Sequence, residues 1–112
     1  YLLKDGKTNT SSVVKKGTKG AKEARLYYHV LKEKEDRFLV EIQLITGRHH
    51  QIRVQMANAG MPLLGDAKYG RSEGREPLAL CAARLSFCHP STKEQLSFSC
   101  TPKGTAFKEF YE

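Results

Sequence analysis

At 112 residues, with nineteen Lys and Arg against twelve Asp and Glu and a formal charge of +7, the chain is one small domain with a modest core. A pI near 9.5 favours a polyanionic partner, nucleic acid first. Three cysteines, Cys81, Cys88 and Cys100, form no Cys-x-x-Cys pair, which argues against a zinc ribbon and a disulfide framework and fits free buried thiols in a reducing cytosol.

Tyr1, Leu2 and Leu3 run into Lys4 and Asp5 as a strand entering a turn, so the chain opens as though cut from a longer polypeptide. Residues 6–20, rich in Lys, Thr, Ser and Gly, read as a basic loop with a short strand at 12–15. From Ala24 the pattern alternates: Ala24, Leu26, Tyr28 and Val30 share one face, with Arg25, Tyr27 and His29 on the other. After a charged turn at 32–36, Phe38, Val40, Ile42 and Leu44 repeat the period of two, which predicts an antiparallel hairpin.

Thr46 or Gly47 is placed to open a helix reaching Asn58 or Ala59, ended by Gly60 and Pro62. Its apolar stripe is Ile52, Met56 and Ala59; Arg48, Gln51, Gln55 and Asn58 lie to one side, His49 and Arg53 to the other. Arg48 and two histidines at the positive end of a helix dipole oppose it, and a bound anion would reverse that penalty. Adjacent side chains on a helix diverge by about 100°, so His49 and His50 cannot share a metal, and no metal site is predicted. Arg53 is either a solvated arginine or a fork offered to a carboxylate or phosphate.

Residues 61–70 form a short apolar segment closed by glycines, in which Asp66 caps backbone N–H groups and Tyr69 packs. A charged loop at 71–77 leads to a buried strand over 78–87, paired across the 89–94 turn with Leu96, Phe98 and Cys100. Phe107, Phe110 and Tyr111 predict a C-terminal helix docked on the sheet. No apolar run nears the ~18 residues of a membrane span, and no membrane partner is expected.

Three stretches carry a family likeness. They are Leu44-x-Thr46-Gly47-Arg48-x-His50-Gln51-Ile52-Arg53-Val54, then Gly60-x-Pro62-Leu63-x-Gly65-Asp66-x-x-Tyr69-Gly70, then Leu80-x-Ala82 through Leu85-x-Phe87-x-His89-Pro90. In this order the chain resembles the C-terminal half of the catalytic domain of an RluA-type pseudouridine synthase, from about Ala24 to Pro102. The resemblance implies an α+β fold, a mixed and mainly antiparallel sheet with flanking helices. It implies isomerisation of uridine in RNA: the C1′–N1 bond breaks, the base turns and a C1′–C5 bond forms, with no cofactor or metal. Ribosomal RNA is the first expected substrate and transfer RNA the second, with the enzyme cytoplasmic.

The family's catalytic Asp lies in a His-Arg-Leu-Asp motif that is absent here, as is its base-stacking Tyr. Arg53 matches the basic residue that pairs with that Asp, so in this chain its guanidinium is expected to lack a partner and the chain to be inactive alone. Arg48, His50 and Gln51 are the candidates for RNA contact, with bracing of the turn as the alternative. Gln55 and Cys81 stand where many relatives have His. The rival class is a non-catalytic RNA-binding module, which missing catalytic residues would also suit. The sequence sets no oligomeric state.

Overall fold

Short turns between consecutive strands dictate local pairing, and every strand in the computed structural model, which describes residues 1–111, pairs with its sequence neighbour. The α+β class holds. In place of one mixed sheet there are three antiparallel two-stranded ribbons among the described residues. The chain divides into two compact units, Tyr1–Leu78 and Ala79–Glu112.

In the first unit, β1 (Leu2–Asp5) pairs with β2 (Thr10–Val13), in register Leu2 to Val13 and Lys4 to Ser11. The strand expected at 12–15 thus lies two residues earlier, where it can bury Ser11 beside Leu2. The rest of 6–20 stays outside named strands, and Leu2 exchanges two 2.8 Å backbone bonds with Lys22 just beyond it.

The second ribbon joins β3 (Leu26–Lys34) to β4 (Arg37–Leu44), with a register shift between Val30 and Lys32. The charged turn contracts to Glu35 and Asp36, Glu35 taking a left-handed φ of 58°. Leu39, not the alternating set containing Phe38, is the buried position, while Tyr28, Val30 and Phe38 are exposed. The extra residue Leu31 shifts β3 against an unbroken β4, an offset that a strict period of two along β3 cannot register.

Helix α1 spans Gln51–Asn58. Its end is as the sequence predicts: Gly60, at φ 84°, donates to Ala57, and Met61 donates to Met56, satisfying the last carbonyls. Leu2, Leu39, Val54 and Met56 form the small apolar core of this unit, joined by buried Ser11, Gln51 and Asp66.

The second unit holds β5 (Arg84–Cys88), β6 (Gln95–Ser99) and α2 (Thr105–Tyr111). His89 organises the turn, its Nδ1 accepting from the backbone N–H groups of Ser91 and Thr92 at 3.1 and 3.2 Å. The buried strand expected over 78–87 is instead short and exposed, Leu85 at 60% and Phe87 at 40%. A two-stranded ribbon without a second layer leaves one face open. Phe87 and Phe98 stack across it at 6.0 Å, and Phe110 of α2 is buried. All three cysteines are free, yet Cys88 and Cys100 are exposed, correcting their expected burial.

Candidate active site

A glutamine sets where the helix begins. The Gln51 side chain folds back so that its Oε1 accepts from Thr46 Oγ1 at 2.7 Å and from the Arg48 N–H at 2.9 Å, while its Nε2 donates to the Arg25 carbonyl at 3.1 Å. Residues 46–50 are thereby held as a turn, and α1 starts at Gln51 rather than at Thr46 or Gly47. The cationic stretch precedes the helix instead of forming its first turn.

His50 is the last residue before α1 and sits in the left-handed region at φ 52°, ψ 24°. That conformation costs a non-glycine residue about 1 kcal/mol or more. It brings the imidazole Nδ1 to 2.8 Å from Tyr69 Oη. The other ring nitrogen lies 3.5 Å from Arg53 Nη1. A guanidinium only donates, so Nε2 is the bare nitrogen and Nδ1–H donates to the tyrosine. Burial, then the charges of His49, Arg53 and Lys68, hold the His50 pKa below its ordinary value, consistent with a neutral ring.

Arg53, one turn along, meets Asp66. Its Nη2 donates to Asp66 Oδ1 at 2.8 Å and its Nε to Oδ2 at 3.1 Å, a two-pronged pair. The guanidinium therefore has a partner, which corrects the expectation that it stands alone in this chain. Asp66 is 1% exposed, and Oδ1 also accepts the backbone N–H groups of Lys68 and Tyr69, both at 3.1 Å. The Arg53 hydrogen bond, outweighing burial and aided by the Tyr69 amide, holds the carboxyl below the usual carboxylate range. The same bond raises the arginine. Beyond Asp66, Arg53 Nη1 makes only the long approach to His50, so one edge of the fork is open on a side chain 20% exposed.

Two glycines let the loop close around this carboxylate. Gly65 has φ 81°, and a Cβ there would run into the Pro77 carbonyl; at Gly70 it would lie 2.6 Å from the Asp66 carbonyl. Tyr69 then ties three segments together. Its hydroxyl accepts the Ser11 N–H of β2 at 2.9 Å as well as the His50 bond, and the Arg53 guanidinium lies 5.2 Å from its ring centre. Ser11 Oγ donates to the His49 carbonyl at 2.9 Å, so His49 Nδ1–H must be the donor in its own 2.9 Å contact with Ser11 Oγ.

Of the residues singled out from sequence, Arg53 and His50 meet in this cluster. Arg48 and Gln51 do not. Arg48 braces the turn, its Nε donating to the Glu23 carbonyl at 2.8 Å. Gln51, expected as an RNA contact, is 3% exposed with its amide engaged inside the fold. Asp66 and Tyr69 were expected as turn and packing residues, and the spacing Gly65-Asp66-x-x-Tyr69-Gly70 was the available signal. Nothing in the sequence marks Ser11. Among the described residues no three His, Cys, Asp or Glu side chains gather where a metal ion could sit, and no helix is long and apolar enough to cross a membrane.

Residues 2–58 match the family model described as RNA pseudouridylate synthase. The chain is 47% identical over 83 residues to the uncharacterized RNA pseudouridine synthase YlyB of Bacillus subtilis, covering 72% of this chain and 27% of that protein. It is 44% identical over 66 residues to the dual-specificity RNA pseudouridine synthase RluA of Pasteurella multocida, covering 56% and 30%. With the ribosomal large subunit pseudouridine synthase D of Zymomonas mobilis it shares 38% over 87 residues, covering 69% and 27%. The chain thus spans under a third of the length of these relatives.

Proposed function

The chain belongs to the RNA pseudouridylate synthase family, and from that premise we propose that it is the C-terminal part of the catalytic domain of an enzyme that isomerises uridine to pseudouridine in structured RNA. One observation carries the reading: Arg53 is gripped along one edge by a buried carboxylate and keeps its Nη1 edge open. A guanidinium so fixed can hold a second carboxylate ionised and oriented. That second carboxylate is the nucleophilic aspartate, supplied by polypeptide outside these residues. Arg53 acts as its partner, His50 and Tyr69 steady the open edge, and Arg48 and His50 lie where a flipped uridine's strand enters. Flipping costs a few kcal/mol, which phosphate contacts by a +7 chain can offset.

Ribosomal RNA is the first substrate and transfer RNA the second, supported by the ribosomal relative above. Free thiols and an RNA substrate favour the cytoplasm. The test is tritium release from RNA carrying C5-labelled uridine. The protein as the gene encodes it should turn over, and Arg53→Lys should lower kcat about 100-fold or more while the melting curve stays cooperative. Turnover by residues 1–112 alone, or an undiminished Arg53→Lys rate, would overturn the assignment.

A further inference from the structure

On the first unit, a cavity of about 260 Å³ opens between β1, the segment that bridges to it and the turn before α1. Lys4, Lys22 and Arg48 reach its lining from these three segments, beside Ser11 and His49. No carboxylate lines it. Of the neighbouring acids, Asp5 accepts the Lys7 N–H at 2.9 Å and Glu23 pairs with Arg25 at 3.0 Å. Among the described residues neither Lys4 nor Lys22 has an ion-pair partner, and Arg48 uses only its Nε, on the Glu23 carbonyl. Three cationic side chains lining one cavity with no carboxylate among them offer an anion three partners of opposite charge. Of these cations Lys4 also acts on His49, whose pKa is lowered first by burial and then by the charges of Lys4, Lys68 and Arg53.

We propose that the cavity lined by Lys4, Lys22 and Arg48 is a subsite for a backbone phosphodiester of the RNA substrate. The proposal rests on the RNA-modifying reading and extends it from Arg48 to Lys4 and Lys22, which lie outside the motif that holds Arg48. The backbone positions suit the task. Leu2 and Lys22 exchange reciprocal 2.8 Å bonds, and Lys4 sits opposite buried Ser11 in the ribbon, so both lysine stems rise from hydrogen-bonded backbone. Bordered by His49 and using none of the bonds of His50 or Arg53, the subsite would set the strand's path without entering the chemistry.

The experiment is fluorescence anisotropy of a labelled RNA stem-loop bound by the protein as the gene encodes it, at 50 to 300 mM KCl. Lys4→Gln combined with Lys22→Gln should weaken binding about tenfold at low salt and flatten the plot of log affinity against log salt by about one unit. Arg48 is left intact because it also braces the turn. A charge-matched control, Arg75→Gln with Lys103→Gln, should leave the slope unchanged. Equal losses in both doubles would reduce the effect to net charge and overturn the subsite. Wild-type binding with an unaltered slope in the lysine double would overturn the subsite alone. No salt-dependent binding by the wild type would remove the RNA reading and the subsite with it.

Discussion

Asp66 and Arg53 form a pair in which the acid is wholly enclosed and the base half-buried. Taking away the base isolates a buried charge, so Arg53→Ala should cost about 3–5 kcal/mol, measured by urea denaturation. The acid's depressed pKa fixes the pH dependence. Its contribution is complete above the ordinary aspartate value of 3.8 and disappears as pH falls through its own lower value. The histidines act in the same direction from a higher starting point. Both are lowered from 6.5, so the folded state is penalised once the unfolded chain begins to take up protons there. Circular dichroism melts should show Tm flat above pH 7, declining gently below about 6.5 and more steeply below about 4. Asp66→Asn should lower Tm at neutral pH and abolish the second decline.

The loop at 61–70 acts as one element because Tyr69 fastens it to β2 and to the entrance of α1. Tyr69→Phe keeps the ring beneath Arg53 and strands two donors, at a cost of about 1–3 kcal/mol. Gly65→Ala forces a Cβ against the Pro77 carbonyl and should lose about 2 kcal/mol or more, with a lower urea midpoint. Elements whose signals are local were legible in the sequence: the hairpin around Glu35, the stop at Gly60, the C-terminal helix. The start of α1 was not, because Gln51 has no capping signature and works through Arg25, remote in sequence. On β4 the alternating set was only partly right, Val40 and Ile42 being half-buried while Leu39 of the opposite face is the buried residue. At the site, Arg53 was legible through its motif. Its bond to Asp66 was not, since that depends on how a loop thirteen residues away closes.

At the scale of the whole molecule, much apolar surface lies open: Tyr27, Tyr28, Phe38, Leu44 and Ile45 in the first unit, Leu85 and Phe98 in the second, each 48–60% exposed. Scattered exposed apolar residues are ordinary, but sets concentrated on two-stranded ribbons are surfaces that association covers. Residues 1–112 expressed alone should bind the dye ANS and self-associate at micromolar concentration, seen as early elution on gel filtration, whereas the protein as the gene encodes it should do neither. The bond from Ser11 to Tyr69 joins positions 58 apart. Loop closure on that span is an entropic cost met late, so during synthesis the basic corner around His50 stays open until the ribosome has released the loop. A nascent chain halted earlier would carry the cations without the scaffold that aims them.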